Sequence, residues 1–304
     1  MQKLLNDVHI LAPNLPDAWF QTVYNVLGYG GMFGIDRGSF AGDKRLEFDY
    51  IDVHIVDPGY NSEQDINQLL PKMAEGCTIP PPVEEGYLDD YLSTYLMHWE
   101  LKTDESYTYG QRITHYEIPS DWQYLWKMEK EHTPDKKDWR EILIQDPEYW
   151  EDPNIIMNEE GVCYVNQIEL MKRIYREKGF RNNQMVLQVA QPSDMLLLDP
   201  PCLREIDTRI QKAYDGKTYL HFFPEFRSWD LWGGFPANLA GIELLKQLIV
   251  ADLQGVETKE GIIDVQNGSI IARSKGLHLY SYVVELAEAI ANKTIDEARA
   301  LLMA

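Results

Sequence analysis

One cysteine lies in a context that suits a nucleophile. Cys202 follows Pro200 and Pro201, and two consecutive prolines keep the backbone out of the helical region, so the thiol is presented at a defined place. A cysteine reacts as its thiolate, which requires a nearby cation that lowers the pKa of the thiol. The alternative interpretation is an inert buried cysteine, because cysteine is among the most frequently buried residue types.

A second group of polar residues lies within residues 226–238, which read FRSWDLWGGFPAN. Arg227 can bind a phosphate through two hydrogen bonds, the amide of Asn238 offers a donor and an acceptor, and the Gly-Gly pair lets a flat ligand approach the backbone. Ser228 and Asp230 lie between them. The alternative is a loop whose polar groups cap the following helix, which suits Asn238 alone and explains the rest of the group poorly.

A third candidate is a histidine and a tyrosine close to the end of the chain. His278 and Tyr280 are two positions apart, so on a strand both side chains lie on one face. Taken alone, such a pair is more often structural than functional. The seven histidines and three cysteines show no spacing typical of a zinc site, so we expect no metal.

The elements that position these residues indicate an α/β protein. Alternation predicts a strand over 48–56, and helical spacing predicts a helix over 239–253 with Asn238 near its N-cap. Pro224 is expected to interrupt an extended segment, and Asn267-Gly268 predicts a turn between two short strands. Further predicted elements are helices over 84–98, 165–178 and 282–291, the last followed by a short tail, and a strand over 185–190.

The order of these elements favours one fold class over another. They do not follow a strict βαβ order, and no glycine-rich phosphate loop follows a strand. We therefore expect a mixed sheet with packed helices, in place of a nucleotide-binding doubly wound fold.

Residues 121–153 differ in composition from their surroundings. They hold ten acidic residues, five basic residues and four of the eight tryptophans. We interpret the region of about 113–160 as a Trp-rich acidic insertion in a single domain that spans residues 1–304. Its role is left open between a surface unit packed on its own tryptophans, a lid over the site and an extension of a dimer contact.

Composition and charge exclude several classes of protein. The chain has 304 residues, 44% of them hydrophobic, and its 49 acidic and 28 basic residues give a net charge of −21. Such a chain repels nucleic-acid backbones and anionic lipid, and no run approaches the roughly 20 apolar residues of a membrane-spanning helix. With no signal-peptide pattern and only Cys77, Cys163 and Cys202, too few for a disulfide framework, we expect a cytoplasmic protein with reduced thiols.

Together the candidate segments resemble the thymidylate synthase family, whose signature is Pro-Cys, Arg-Ser-x-Asp, Gly-x-Pro-x-Asn and His-x-Tyr. Here these are Pro201-Cys202, Arg227-Ser228-Trp229-Asp230, Gly234-Phe235-Pro236-Ala237-Asn238 and His278-Leu279-Tyr280. The match is specific over about residues 180–285. Upstream, Tyr109-Gly110-Gln111-Arg112 resembles the family's Tyr-Gly-x-Arg, and Glu75-Gly76-Cys77 resembles its divergent archaeal-type branch.

The resemblance implies a fold and an activity. The fold is a three-layer α/β (α+β) arrangement whose mixed twisted sheet packs against its copy in a homodimer, with residues of both chains in each site. The activity is transfer of a one-carbon unit to C5 of dUMP, with 5,10-methylenetetrahydrofolate as co-substrate and no metal, giving dTMP and dihydrofolate. The Cys202 thiolate would add to C6 of the uracil ring, so that C5 becomes nucleophilic.

The resemblance also implies which matched residues bind the nucleotide. Arg227 would bind the phosphate and lower the pKa of Cys202, with Ser228 and Arg181 also at the phosphate. Asn238 would contact O4 and N3 of uracil. An acidic residue takes this position in the related hydroxymethylases that act on cytosine, so Asn238 favours uracil.

The remaining matched residues divide between ribose, folate and catalysis. His278 and Tyr280 would hold the ribose hydroxyl, and Asp230 and Gly234 would contact the pterin of the folate. Tyr109 completes the catalytic group of Cys202, Arg227, Asp230 and Asn238.

Two departures from the family leave alternatives open. The usual pair of adjacent arginines before the nucleophile is replaced by Asn182-Asn183, with Arg37, Arg45 and Arg112 as candidate substitutes. Each lost charge-assisted contact is worth roughly 1.5–3 kcal/mol, so dUMP affinity would fall by tens to thousands-fold. The closing residues 300–304 do not resemble the family's tail. The alternatives are a pyrimidine-nucleotide C5 hydroxymethylase, in which water replaces hydride, and a relative that binds nucleotide without turnover.

Overall fold

A computed structural model describes residues 5–38, 40–59, 66–103, 105–118, 155–157, 163–258 and 261–303. Most of the predicted insertion over 113–160 lies outside the described residues. The described strands are, in chain order, β1 (Asp7–Ala12), β2 (Gly31–Gly34), β3 (Lys44–Glu47), β4 (Tyr50–Ile55), β5 (Tyr116–Glu117), β6 (Ile155–Met157), β7 (Cys163–Val165), β8 (Val186–Gln188), β9 (Leu203–Lys212), β10 (Thr218–Phe226), β11 (Trp229–Asp230), β12 (Val256–Thr258), β13 (Gly261–Ile263), β14 (Val265–Ser274) and β15 (Leu277–Tyr280).

The described helices include long ones that pack on the sheets and short ones that connect strands. They are α1 (Leu15–Tyr29), α2 (Tyr87–Tyr91), α3 (Tyr109–Thr114), α4 (Gln167–Lys178), α5 (Gly234–Asp252), α6 (Ser281–Ala291) and α7 (Ile295–Met303). Short 3-10 helices cover Ile66–Leu69 and Pro192–Leu196, and α2 continues directly into a π-helical turn over Leu92–Leu96. No helix among the described residues is long and apolar enough to cross a membrane.

The centre of the fold is a six-stranded sheet in the order β1-β4-β14-β10-β9-β8. β1 is parallel to β4 and β10 is parallel to β14, whereas the other neighbouring strands are antiparallel. A second sheet has the order β11-β15-β3-β2. The predicted mixed α/β architecture with a mixed sheet is therefore confirmed.

Helices α1 and α5 pack on one face of the six-stranded sheet. Along β10 and β14 alternate residues are buried against them, including Leu220, Phe222 and Ile270. The side chains of the opposite face, such as Asp52, Phe223, Ile271 and Arg273, are half-buried and line an open cavity of about 320 Å³. The core lies between the sheet and these two helices, and no helix in the described parts of the chain covers the cavity.

Two predictions about this sheet are wrong. Pro224 does not interrupt β10, because pairing with β9 continues on both sides of it, with Pro224 opposite Ile206. The loss of one N–H donor is thus tolerated where the flanking residues keep their ladder. Asn267-Gly268 is not a turn, since both residues lie inside β14. A Cβ at Gly268 would lie 2.5 Å from the Leu220 carbonyl oxygen, so the glycine permits close approach of two strands.

The helix predictions have mixed outcomes. The helix ending at Gly179 is confirmed as α4, whose first turn is capped by the Asn166 side chain. The helix predicted over 84–98 is confirmed in part, as α2 and its π-helical turn. The tail predicted after residue 291 is wrong, because α7 follows there.

Candidate active site

Cys202 and Arg227 lie side by side at the ends of β9 and β10, two neighbouring interior strands of the six-stranded sheet. Leu203 at the start of β9 is paired with Phe226 at the end of β10, so the residues just beyond them are neighbours. The Arg227 N–H donates to the Cys202 carbonyl oxygen at 2.9 Å. The antiparallel ladder therefore brings together two residues that are 25 positions apart in the sequence.

The Arg227 side chain is held by the loop that precedes Cys202. Its Nε donates to the carbonyl oxygens of Pro200 and Pro201, each at 3.2 Å. Its Nη2 lies 3.2 Å from Oδ1 of Asp199, an exposed carboxylate. Arg227 is therefore paired with an anion of the chain itself, next to the candidate nucleophile.

The pKa of the Cys202 thiol is raised. Burial is the largest cause, Arg227 and Arg204 act in the opposite direction, and Asp199 and Asp230 raise the pKa further. The effect of Arg227 has the direction that the family resemblance implies, but the expected net lowering is not observed because burial outweighs it. At neutral pH the thiol of the unliganded chain is mainly protonated.

Several tyrosines surround the cysteine. The Tyr109 hydroxyl accepts a hydrogen bond from the Leu203 N–H at 3.2 Å, and the Tyr95 ring packs edge-on against Tyr109 with centroids 5.1 Å apart. Burial raises the pKa of Tyr95 to about 12, so its hydroxyl keeps its proton at neutral pH. Tyr109 was expected in the site, whereas Tyr95 was not. The signal available for Tyr95 is the four-residue spacing of Tyr87, Tyr91 and Tyr95.

Asp230 caps helix α5. Its Oδ2 accepts hydrogen bonds from the N–H groups of Gly233 at 3.0 Å and Gly234 at 2.8 Å, and its Oδ1 accepts from the N–H of Trp232 at 3.2 Å. The prediction that Asn238 lies near the N-cap is wrong, because the helix begins four residues earlier. The carboxylate satisfies N–H groups of the first turn, which otherwise lack partners.

Asn238 is placed on the inner side of α5, one turn from its start. Trp229 Nε1 donates to Asn238 Oδ1 at 2.9 Å, and Asn238 Nδ2 donates to the Tyr91 hydroxyl oxygen at 2.6 Å. A primary amide has two N–H donors and two acceptor lone pairs. One donor and one acceptor position therefore remain for a ligand.

His278 and Tyr280 lie on β15, as the strand prediction requires. Parallel pairing of β11 with β15 sets His278 opposite Asp230, and the rings of His278 and Tyr280 are edge-to-face with centroids 4.7 Å apart. Burial is the largest cause that lowers the pKa of His278. Its Nδ1 lies 2.8 Å from the Gly276 carbonyl oxygen, which only accepts, so Nδ1 carries the proton of the neutral ring.

That tautomer leaves His278 Nε2 as an acceptor. Nε2 is buried and has no hydrogen-bond partner among the described residues. A buried polar atom without a partner is costly, and a ligand hydroxyl would satisfy it. Nε2 is therefore an unsatisfied acceptor in the candidate site.

Most of the other candidate arginines are paired within the protein. Arg112 Nη2 lies 3.0 Å from Oδ1 of Asp194, and both side chains are buried. Arg45 is paired with Glu47. Arg112 and Arg45 are therefore each already paired with a carboxylate of the chain. Arg204, which the sequence interpretation omitted, lowers the pKa of Cys202 and is half-buried beside it.

Arg181 and Ser228 are less closely tied to the site. Arg181 is exposed and lies before the edge strand β8, and among the described residues it forms no hydrogen bond or ion pair with Cys202 or Arg227. Ser228 is half-buried and directly follows Arg227. Within the parts of the chain that the structure describes, no group of three His, Cys, Asp or Glu side chains could hold a metal ion.

The structure is a mixed α/β protein with Cys202 and Arg227 at the paired ends of β9 and β10, Asn238 on helix α5 and His278 on β15. No protein-family model matches the chain. The chain is similar to a protein of Methanosarcina acetivorans that carries the name "Putative thymidylate synthase", with 23% identity over 281 residues, which are 92% of this chain and 93% of that protein. The similarity extends over nearly the whole chain and suggests a thymidylate synthase-like family of enzymes.

Proposed function

We propose that the chain is a thymidylate synthase-like enzyme, a methyltransferase that acts at C5 of dUMP with 5,10-methylenetetrahydrofolate as co-substrate. The observation that supports this most is the juxtaposition of Cys202 and Arg227 at the paired ends of β9 and β10. The relative from Methanosarcina acetivorans supports the same family by its name.

Three contacts would hold the nucleotide. Its phosphate would take the place of Asp199 beside Arg227, with Ser228 and Arg181 as further candidates at the phosphate. Its ribose hydroxyl would donate to Nε2 of His278, next to Tyr280. The free donor and acceptor of Asn238 match O4 and N3–H of uracil.

The chemistry that this arrangement supports begins with Cys202. Its thiol loses a proton, sulfur bonds to C6, and the electrons of the C5–C6 double bond move toward O4, where the Asn238 N–H can donate. C5 then bonds to the transferred carbon. Loss of the C5 proton breaks the bond between this carbon and the folate nitrogen and leaves an exocyclic methylene; hydride addition to the methylene gives the methyl group, the C5–C6 double bond re-forms and the C6–S bond breaks. The folate supplies both the carbon and a hydride, and leaves as dihydrofolate.

The residues at the start of α5 leave few free hydrogen-bonding positions for a folate. Asp230 uses three of its four acceptor positions on backbone N–H groups, which leaves one on Oδ1 for the pterin. A Cβ at Gly234 would lie 3.2 Å from the Asp230 side chain, so a glycine keeps this carboxylate accessible. Tyr109 would contribute through its hydroxyl, which accepts a hydrogen bond from the backbone N–H of Leu203, the residue after Cys202.

The open sheet face supports a homodimer of single-domain chains spanning residues 1–304. Phe223 and Ile271 lie on this face beside the charged Asp52 and Arg273, a mixture typical of protein interfaces. A second copy packed there would cover the cavity. We place this dimer in the cytoplasm, since the free cysteines Cys77 and Cys202 suit a reducing compartment.

A tritium-release assay tests the activity. Incubation with dUMP tritiated at C5 and methylenetetrahydrofolate should release tritium and form one dihydrofolate for each dTMP. Tetrahydrofolate with hydroxymethyl-dUMP would show the hydroxymethylase instead, and nucleotide binding with no exchange at C5 would show a relative without turnover.

Two cysteine variants make the test specific. Cys202→Ser should abolish tritium release and the covalent adduct with 5-fluoro-dUMP. Cys77→Ser is the matched control, because Cys77 is exposed, and it should leave both unchanged. Equal activity of the two variants would refute the assignment of the nucleophile.

A further inference from the structure

The amide of Asn238 is held from two sides by aromatic residues. Trp229 Nε1 donates to its Oδ1 at 2.9 Å, and its Nδ2 donates to the Tyr91 hydroxyl at 2.6 Å. Trp229 is nine residues before Asn238, and Tyr91 comes from a different helix. The amide is therefore tied to two separate parts of the fold.

Trp229 determines which end of the amide faces it. The indole Nε1–H is a donor and never an acceptor. Only the amide oxygen can therefore point at Trp229, and Nδ2 must point at Tyr91, whose hydroxyl can accept. The orientation of the amide follows from this chemistry.

Both aromatic residues are held firmly. Trp229, 1% exposed, is stacked on Phe226 with centroids 3.9 Å apart and on Phe235 at 4.6 Å. The Tyr91 ring lies against Gly241, where a Cβ would come within 2.3 Å of a ring carbon. Neither ring can turn away from Asn238 without disturbing the packing around it.

We propose that Trp229 and Tyr91 are positioning residues that set the base specificity of the site by fixing the orientation of the Asn238 amide. This inference rests on the proposed function. The remaining N–H of Asn238 then meets the O4 acceptor of uracil, and its remaining lone pair meets N3–H.

Cytosine requires the opposite orientation. It presents an amino group at C4 and a bare acceptor at N3, so the amide would have to turn by about 180°. Turning would aim Nδ2 at the indole N–H, and two donors would face each other in a partly buried site. The unpaired donors make this orientation unfavourable.

The test compares binding of dUMP and dCMP by calorimetry in the full chain and two variants. Trp229→Phe keeps an aromatic ring but removes the donor, and Tyr91→Phe removes only the hydroxyl. In both variants the ratio of the Kd for dCMP to the Kd for dUMP should fall, by about tenfold or more for Trp229→Phe. Tyr175→Phe is the control, because it removes a hydroxyl that is hydrogen-bonded to Thr208 in the core, and it should leave the ratio unchanged.

A second measurement keeps the inference independent of the activity. The side-chain amide resonances of Asn238 are identified as those lost in Asn238→Asp, and their hydrogen exchange is followed by NMR. Exchange should be slow in the unchanged chain and faster in Trp229→Phe and Tyr91→Phe. If neither nucleotide binds the unchanged chain, the proposed function fails, whereas the exchange data still decide whether the amide is held.

Two results would overturn the inference. One is an unchanged Kd ratio in a folded Trp229→Phe variant. The other is equally fast exchange of the Asn238 amide with and without the indole N–H. If Trp229→Phe fails to fold, Tyr91→Phe decides in the same way.

Discussion

Replacement of Gly241 by alanine should destabilise the protein, although alanine is the better helix former. Gly241 lies inside α5, and a Cβ there would be 2.3 and 2.4 Å from two carbons of the Tyr91 ring and 3.2 Å from Leu96. Ordinary contact begins near 3.4 Å, so the ring has to move by roughly 1 Å. Such movement carries the Tyr91 hydroxyl out of its 2.6 Å contact with Asn238.

The expected size follows from three opposing effects. Alanine in place of glycine favours the helix by about 1 kcal/mol, overpacking of a buried contact costs about 1–3 kcal/mol, and loss of a hydrogen bond costs about 0.5–1.5 kcal/mol. Gly241→Ala should therefore lower the free energy of unfolding by about 2 kcal/mol, measured by urea denaturation followed by circular dichroism.

Gly28→Ala is the matched control for this experiment. Gly28 is also helical, in α1, and the atom nearest to its Cβ would be a methyl of Leu302 at 3.1 Å, on a side chain that is 46% exposed and free to shift. Gly28→Ala should be neutral or stabilising by up to about 1 kcal/mol. In a double-mutant cycle, Gly241→Ala should cost less in a Tyr91→Ala background than in the parent, because the ring that the new Cβ would meet is absent. A Gly241→Ala protein as stable as the parent would refute the reasoning about close packing.

Three further outcomes are expected. Asp199→Asn removes a charge that raises the pKa of Cys202, so the pH profile of thiol alkylation should shift to lower pH; a shift to higher pH would contradict this. Burial lowers the pKa of His278 below 6.5, so the imidazole of His278 binds a proton more tightly in the unfolded chain than in the folded one. The stability that this difference provides is complete above pH 6.5 and is lost below it, and urea titrations of His278→Gln should show a smaller loss in acid than the parent. Glu243 and Lys246 form a fully buried pair at 2.9 Å. Lys246→Met should cost about 3–5 kcal/mol, and Glu243→Gln/Lys246→Met should unfold at higher urea than Lys246→Met, because it leaves no unpaired charge.

Local signals predicted those elements whose ends are determined by neighbouring residues. Asn166 and Gly179 bound α4 because capping depends on residues within one turn. That His278 and Tyr280 share one face follows from the two-residue repeat of a strand alone, and both lie on β15 in the structure.

Long-range contacts explain the predictions that failed. Arg112 is paired with Asp194, which is 82 residues away, and no local pattern shows this contact. Asn238 was expected at a helix start because it precedes an apolar run. Asp230 lies on β11, which pairs with β15, and its carboxylate accepts a hydrogen bond from the Gly233 N–H. The helix therefore begins four residues before Asn238. Tyr91 reaches Asn238 through helix packing across 147 positions, which periodicity alone does not reveal.

In the proposed site Asp199 is a tethered competitor of the phosphate, because its carboxylate already contacts Arg227. A side chain on the same short loop is present at an effective concentration on the order of millimolar, so a free anion must exceed that level to displace it. Inorganic phosphate at lower concentration should leave the contact intact. The proposed nucleotide would bring ribose and base contacts together with its phosphate, and only their sum would overcome the internal carboxylate. The exchange would replace a carboxylate of charge −1 beside Cys202 by a phosphate monoester of about −1.5 to −2 at neutral pH, so the thiol would meet a more negative electrostatic field once the ligand is bound.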